Sequence, residues 1–256
     1  MMRRADGPPS TFEERLKEFA VPPKLYIRYR ALKELARGES EIRLLPFMVD
    51  RQRNAVDAGA NKGVYAHFMA RLARQVWAFE PNPKMYRTLR RTAAANVLAR
   101  ALALSDVSGK AVLRIPQRGN ARGYSNQGGT LRTALAANFL PVEVEAVRLD
   151  ALALADVGFI KIDVEGFEQQ VLEGARETIA RDRPALLVEI EEKHTGQPIE
   201  HSLARVLALG YRGMFLDRAA KVLRPLEWFD PERHHRSPGA AAPTAYVFNF
   251  AFFPLR

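Results

Sequence analysis

Residues 54–63, NAVDAGANKG, have the pattern of a buried strand that ends in a tight turn and then opens a helix. The apolar run stops at Asp57, Gly59 follows, and Gly63 begins the next segment. Gly59 allows a tight turn and a close approach to a ligand, while Gly63 allows the helix to pack against the strand. Asn61 stands where many such loops carry a glycine, and asparagine tolerates left-handed backbone well. The segment therefore predicts a nucleotide-binding turn.

Strand-like apolar runs alternate with amphipathic helical segments on the carboxyl side of this turn. We predict strands at residues 55–58, 76–79, 101–104, 111–115, 159–162, 185–190, 211–216 and 246–252, and helices at 64–72, 84–96, 168–181 and 201–208. Fully apolar strands separated by helices are typical of a mostly parallel sheet with helices on both faces. The last two strands have no obvious helix between them, which predicts an antiparallel hairpin at one edge. We therefore expect an α/β, Rossmann-like domain over residues 46–256.

Residues 1–45 are predicted to form an N-terminal helical extension packed against that domain. Thr11 and Glu14 have the spacing of a capping box, and a second helical pattern covers residues 24–37. Two polar loops, 118–129 and 233–243, contain glycine or proline and are long enough to be lids or binding loops. We expect the first loop to help form an acceptor pocket.

The composition limits the class of protein. A chain of 256 residues with 47% apolar residues suits one globular domain with an extension. The absence of cysteine excludes disulfides and thiolate metal sites. No apolar run is long enough for a membrane span, and no apolar stretch follows the two N-terminal arginines, so we expect neither a transmembrane segment nor a signal peptide. These features predict a cytoplasmic protein of undetermined oligomeric state.

The formal net charge of +10 favours contact with an anionic partner such as nucleic acid, a membrane surface or an acidic glycan. The alternative is a well-solvated surface rich in arginine. The arginines are scattered and do not form one run, so we favour the solvated surface.

Acidic residues stand at the ends of three of the predicted strands, and Asp57 is the first of them. Glu80 and Pro81 end the second strand in VWAFEPNP, at a distance from Gly59 that suits a carboxylate bonded to a ribose diol. Asp106, in ALSD, follows the strand predicted at 101–104 and is expected to meet an adenine amino group. A single acid of this kind could be a solvated strand end. Three acids at the carboxyl edge of a sheet predict a nucleotide site.

Two cofactors compete for this site. The turn lacks the G-x-G-x-x-G pattern that seats a pyrophosphate on a helix N-terminus, which argues against a nicotinamide dinucleotide. Asp57 just before the turn would repel a diphosphate but would attract a sulfonium or amino group. The residues therefore favour S-adenosylmethionine.

Five motifs in this order resemble the FkbM family of methyltransferases: VDAGANKG, FEPNP, ALSD, FIKIDVEGFEQQVLEGA and LLVEI. The resemblance covers residues 54–190 and implies a class I methyltransferase fold, with a seven-stranded sheet whose last strand is antiparallel. It also implies methyl transfer to a hydroxyl, often on a sugar or a polyketide-type natural product. Ala58 and Lys62 depart from the commoner apolar residues of the first motif. The positions that match the family's cofactor pattern are Asp57, Gly59, Asn61, Gly63, Glu80 and Asp106, and those that match IDVEG are Asp163 and Glu165.

The catalytic candidates are Asp163 and Glu165, beside the expected sulfonium, and Glu189 at the end of LLVEI. Residues two apart in a strand point the same way, so Asp163 could orient or deprotonate an acceptor hydroxyl with support from Glu165. The alternative is that this pair caps the following helix. Glu189, His194 and Asp163 could also hold a divalent cation, although no metal-binding spacing supports one. Lys161 is expected to pair with an acid.

Three functions follow from these residues. The first is an O-methyltransferase that acts on a small-molecule or glycan acceptor. The second is a nucleic-acid methyltransferase, suggested by the net charge. It ranks lower because the N/D-P-P-Y/F run of amino-directed enzymes is missing. The third is a cofactor-binding partner module without catalysis, against which the acids at the strand ends argue.

Overall fold

The computed structural model of the protein describes residues 21–118, 123–124, 129–131, 139–218, 220–236 and 246–255, and its strands form two sheets. The larger sheet has eight strands in the order β11-β10-β12-β9-β8-β1-β2-β3, and the smaller has four in the order β4-β7-β5-β6. The strands are β1 (Asn54–Ala58), β2 (Val76–Phe79), β3 (Val97–Arg100), β4 (Ala103–Leu104), β5 (Gly109–Arg118), β6 (Gly123–Tyr124), β7 (Phe139–Val147), β8 (Val157–Ile162), β9 (Ala185–Glu189), β10 (Tyr211–Asp217), β11 (Val222–Pro225) and β12 (Asn249–Pro254).

The larger sheet confirms the predicted Rossmann-like fold. Strands β3, β2, β1, β8 and β9 are parallel, and the last strand, β12, is antiparallel to both of its neighbours. Six of the predicted strands lie in this sheet, as β1, β2, β8, β9, β10 and β12, and β3 and β11 complete it to eight strands where seven were expected. The predicted antiparallel pairing of the strands at 211–216 and 246–252 is confirmed by β10 and β12, but the pair is not at the edge, because β11 pairs with the outer side of β10. Phe250, Ala251 and Phe252 are all buried, which suits an interior strand covered on both faces.

The strand predicted at residues 101–104 does not belong to the larger sheet. Its third parallel strand is β3, which pairs with β2 from Val97 onward. Residues 103–104 instead form β4 and pair with β7. Alternate residues of β5 and β7, among them Leu113, Ile115 and Val142, form a separate small core with Ala103. The chain thus turns away from the main sheet after β3.

Helices cover both faces of the larger sheet, in two apolar cores. The helix predicted at 168–181 is two helices that meet at Ala175, where Gly174 allows close approach of the Ser105 carbonyl. None of the helices in the described ranges is long and apolar enough to cross a membrane. The helices are α1 (Pro23–Arg37), α2 (Leu45–Met48), α3 (Val64–Met69), α4 (Pro83–Thr92), α5 (Glu168–Gly174), α6 (Arg176–Asp182), α7 (Glu192–Thr195) and α8 (Ile199–Leu207).

Helix α1 is the second of the two N-terminal helices predicted from the sequence. Ile27 and Ala31 are buried where it packs against α3 and α4. The helix expected after Thr11 and Glu14 lies outside the described residues, as do most residues of the loop at 118–129 and residues 237–243 of the second loop.

Candidate active site

A cavity of about 730 Å³ lies at the carboxyl ends of β1, β2, β8 and β9. Each strand brings one acid to its wall: Asp57 in β1, Glu80 after β2, Asp163 after β8 and Glu189 at the end of β9. This is the edge at which open α/β sheets bind ligands, and the volume is typical of a small-molecule site. The structure therefore brings together acids that lie far apart in the sequence.

The turn after β1 has the predicted backbone. Gly59 has φ +81°, and a Cβ atom there would lie 1.8 Å from the carbonyl oxygen of Asp163, so only glycine fits. Asn61 adopts left-handed backbone with φ +49°. Gly63 precedes α3, but it makes room for Leu89 of α4, which would lie 2.7 Å from a Cβ atom at this position, and so serves helix–helix packing. Gly59 and Asn61 line the cavity, and Gly63 lies behind it.

Glu80 is buried and holds this turn by hydrogen bonds to its backbone. Its carboxylate accepts hydrogen bonds from the backbone N–H groups of Asn61 at 2.7 Å and Asn82 at 2.8 Å. Burial raises its pKa to about 7, although both hydrogen bonds act in the opposite direction. Pro81 lines the cavity beside it. Each carboxylate oxygen of Glu80 keeps a lone pair for a ligand hydroxyl.

Asp57 is a buried carboxylate without a hydrogen-bond partner among the described residues. It is fully buried, and neither oxygen has a hydrogen-bond partner among those residues, the Ala66 amide lying nearby without completing a bond. Burial raises its pKa to about 7, while the charge of Lys161 lowers it and that of Asp163 raises it. An unpaired buried acid beside a cavity is costly for stability and suits a cationic or hydrogen-donating ligand.

Asp106 does not reach the cavity, which corrects the expectation that three acids converge there. Its side chain is exposed and accepts a hydrogen bond from the Ser105 hydroxyl at 3.0 Å. The reason is the departure of β4 from the larger sheet, which puts the apolar residues Leu102 and Leu104 on the cavity wall instead.

Lys161 is buried in β8 and pairs with an acid, as expected. Its Nζ lies 2.8 Å from Oδ2 of Asp163 and 4.3 Å from the centre of the Tyr65 ring. Burial alone would lower the pKa of Lys161, but Asp163, Glu39 and Asp57 together raise it above its ordinary value. A permanently charged lysine thus lies beneath the carboxylates of the cavity.

Glu165 reaches the cavity by a different route from the one predicted. Strand β8 ends at Ile162, and Glu165 adopts left-handed backbone with φ +54°. Its Oε2 lies 3.1 Å from Nε2 of His194, and burial followed by the charge of Asp163 raises its pKa to about 7. Neither Asp163 nor Glu165 caps α5, which has no side-chain cap. The described contacts therefore give no support to the capping alternative.

Glu189, Glu191 and His194 form a cluster on the β9 side. One ligand atom from each lies within 4.8 Å of the others, so the three could approach a common cation. Glu191 already accepts hydrogen bonds from Lys193 at 2.6 Å and from Tyr246 at 2.5 Å. Burial and the charge of Asp163 raise the pKa of Glu189 to about 10. This shift favours the neutral form of Glu189, which can donate a hydrogen bond.

Several residues of the cavity wall escaped the sequence analysis because they come from distant segments. Arg30 and Glu34 are on α1, and Phe248 precedes β12. Glu39 accepts hydrogen bonds from Tyr65 at 2.6 Å and Asn249 at 3.0 Å, and so joins both ends of the chain. No local motif marks these positions. The glutamates that recur between residues 34 and 41 are the one available signal.

Comparison with known proteins identifies the family. A family model for the methyltransferase FkbM domain matches residues 57–212, more than half of the chain. The chain belongs to the FkbM methyltransferase family. It is therefore an S-adenosylmethionine-dependent methyltransferase of class I. No curated protein matches the chain in sequence.

Solved structures similar to this FkbM methyltransferase have low sequence identity to it. An FkbM methyltransferase from Methylobacillus flagellatus is 17% identical with a TM-score of 0.48, and the match covers 80% of this chain but 44% of that one. A proposed methyltransferase from Streptococcus mutans, in complex with SAH, is 11% identical with a TM-score of 0.46 over 84% and 96% of the two chains. An rRNA methylase from Streptococcus thermophilus is 14% identical with a TM-score of 0.46 over 85% and 95%.

The cavity fits the cofactor of an FkbM methyltransferase. The unpartnered carboxylate of Asp57 suits the cationic end of S-adenosylmethionine, and the free lone pairs of Glu80 suit its ribose hydroxyls. When bound, S-adenosylmethionine supplies an electrophilic methyl group and a neutral thioether leaving group. The protein then has to align the acceptor, exclude water and accept a proton.

Proposed function

We propose that this FkbM methyltransferase methylates a hydroxyl group of a sugar, glycan or natural-product acceptor. The observation that carries the proposal is the contact between Glu165 and His194, 3.1 Å apart on the wall of the cavity. A hydroxyl is a poor nucleophile at neutral pH, so its methylation benefits from a base with a pKa near 7. Glu165, whose pKa is raised to about 7, matches that requirement.

In this proposal Glu165 takes the proton of the acceptor hydroxyl as the new C–O bond forms. His194 then accepts that proton or stabilises the protonated carboxyl group of Glu165 by a hydrogen bond. Asp163 orients the same hydroxyl by accepting a hydrogen bond, because Lys161 holds its carboxylate at 2.8 Å. Glu189, as a neutral acid, donates a hydrogen bond to another acceptor oxygen. A polyhydroxylated acceptor suits a cavity wall that offers both hydrogen-bond acceptors and donors.

We also propose that the cofactor is held by Asp57, Glu80, Pro81, the turn of Gly59 and Asn61, and the backbone around Asp163. The polar groups and glycine geometry described above support these roles. Gly63 contributes indirectly, since it sets the packing of α3 on α4 and thereby the shape of the turn.

The test is a search for the acceptor by mass spectrometry. The protein is incubated with methyl-deuterated S-adenosylmethionine and fractionated glycans, polar metabolites and RNA, and products that gain one labelled methyl are fragmented to locate it. A labelled methyl ether on a carbohydrate or natural product, lost in Glu165→Gln, supports the proposal. Label on a nitrogen, a carbon or an RNA base in the wild-type protein, with no labelled ether, would overturn it.

A further inference from the structure

Helix α1 presents a row of apolar side chains to solvent. Leu25, Tyr29 and Leu32 are 56%, 65% and 65% exposed. Their spacing of four and three residues places them along one side of the helix. The side that packs against α3 and α4 carries the buried residues Ile27 and Ala31. The exposed row is therefore not needed to hold the helix on the domain.

Basic residues border this apolar row on both sides. At 100° per residue, Lys24 and Arg28 fall on one border and Lys33 and Arg37 on the other, and all four are exposed. Helix α1 is described over its whole length, and none of its exposed positions carries an acid. Its single acid, Glu34, faces the cavity.

We propose that this outer face of α1 docks the protein on an anionic membrane surface. An interfacial helix combines a row of leucine and aromatic side chains with lysine and arginine that pair with lipid phosphates. Nucleic acid would satisfy the four cations, but its phosphate backbone offers nothing to three large apolar side chains. A second copy of the same face would place like charges opposite one another. An anionic bilayer satisfies the cations and the apolar row together.

Docking through α1 has a consequence for the active site. The inner side of the same helix carries Arg30 and Glu34, which line the cavity. One helix diameter, about 10 Å, therefore separates the cavity wall from the docked surface. The methyltransferase would work on acceptors at, or delivered to, the membrane surface.

The experiment measures co-sedimentation of the full chain with phosphatidylcholine vesicles, with and without phosphatidylserine. One triple variant removes the apolar row and another removes three of the cations. Each has a control that makes the same kind of substitution at exposed positions away from α1. The test variants are Leu25→Ser/Tyr29→Ser/Leu32→Ser and Lys24→Gln/Arg28→Gln/Lys33→Gln, and their respective controls are Leu207→Ser/Val222→Ser/Trp228→Ser and Arg205→Gln/Arg212→Gln/Lys221→Gln.

We expect the wild-type protein to partition onto vesicles that contain phosphatidylserine and much less onto phosphatidylcholine alone. Each test variant should reduce the partition coefficient by at least about tenfold, since a single basic residue near the surface contributes about fivefold and burial of a large apolar side chain contributes at least as much. The controls should change it by less than about threefold. Binding of S-adenosylhomocysteine, followed by thermal shift, should be unaltered in all four variants because none of the changed residues lines the cavity.

Three results would overturn the proposal. In the first, the apolar variant binds the vesicles like the wild-type protein. In the second, the cation control loses as much binding as the cation variant, which would reduce the effect to net charge. In the third, the apolar variant alters self-association of the protein, or its retention of RNA, without altering vesicle binding.

Discussion

Replacement of Lys161 by methionine tests whether the charge of this lysine stabilises the carboxylates of the cavity in the folded protein. Methionine has a similar length and apolar stem, so the change removes chiefly the charge, its 2.8 Å contact with Asp163 and its position over the Tyr65 ring. Lys161 is almost fully buried, so water cannot replace it. The carboxylates of Asp57 and Asp163 would lose the cation nearest to them.

Removal of one partner of a buried ion pair costs about 3–5 kcal/mol of the free energy of unfolding. Asp163 keeps 26% of its side chain exposed, so hydration offsets part of this loss, and we expect about 3 kcal/mol. For a chain of this size, that corresponds to a fall in melting temperature of roughly 6–12 °C.

The loss should depend on pH. Without the lysine, the pKa of Asp57, already about 7, should rise further because the charge of Lys161 lowers it in the wild-type protein. A carboxyl whose folded-state pKa is raised favours the folded state fully below its unfolded pKa, and this contribution is lost as pH rises through the folded value. The deficit of Lys161→Met should therefore be small at about pH 4, should grow as pH rises through about 7 and should be complete only above the raised pKa of the variant.

Urea unfolding of the wild-type protein, Lys161→Met and Lys161→Met/Asp163→Asn across this pH range provides the measurement. The double variant removes the uncompensated charge and should recover at least about 1 kcal/mol above pH 7. A deficit of the same size at every pH, with no recovery in the double variant, would mean that Lys161 acts through packing alone and would refute the electrostatic account.

Four further outcomes follow from the site. Asp57→Asn should raise the free energy of unfolding of the cofactor-free protein above pH 7 by about 1–3 kcal/mol, as measured by urea unfolding. The same change should weaken binding of S-adenosylmethionine at least about tenfold in calorimetry. Equal or tighter binding would contradict the role of the unpaired anion. Gly59→Ala should abolish binding of S-adenosylhomocysteine, whereas Gly210→Ala should retain it, because Gly210 has a similar φ of +82° but the atoms nearest to its added Cβ belong to the side chain of Arg183. Calorimetry that finds the two variants alike would attribute the effect to φ alone. With an identified acceptor, kcat/KM of the wild-type protein should rise as pH passes through about 7. Glu165→Gln should lower kcat/KM about 10²–10⁴-fold and remove this dependence on pH. An unchanged pH profile in the variant would mean that another residue is the base. Chelation of divalent cations should change the rate by less than about twofold, because Glu191 and His194 of the possible cation cluster already have internal partners. A rate that depends on added Mg²⁺ or Mn²⁺ would contradict this expectation.

The parts of the fold that could be predicted are those with a local cause. The turn at Gly59 and Asn61 depends on backbone conformations that few residue types adopt, so the residue types reveal it. The parallel strands follow from continuous apolar runs between helices. The pairing of β12 with β9 and the edge position of β11 could not be predicted, since pairing between distant strands leaves no mark in a single sequence.

The candidate site follows the same rule. Asp57, Glu80, Asp163 and Glu189 were predictable because each ends a strand that reads clearly in the sequence. Asp106 also follows an apolar run, but that run belongs to the smaller sheet, and only the pairing of β4 with β7 reveals this. The pairing of Glu165 with His194 could not be predicted, because Glu165 itself adopts left-handed backbone and is neither a glycine nor an asparagine.

Glu39 bonds to both Tyr65 and Asn249, residues that enter the chain 26 and 210 positions after it. A growing polypeptide therefore cannot complete this part of the cavity wall until Asn249 has been synthesised, however early the parallel strands pair. Up to that moment the acids at the strand ends share an open, hydrated edge where the electrostatic penalty is small. The closure of this part of the cavity wall is thus a late event in the folding of the sequence.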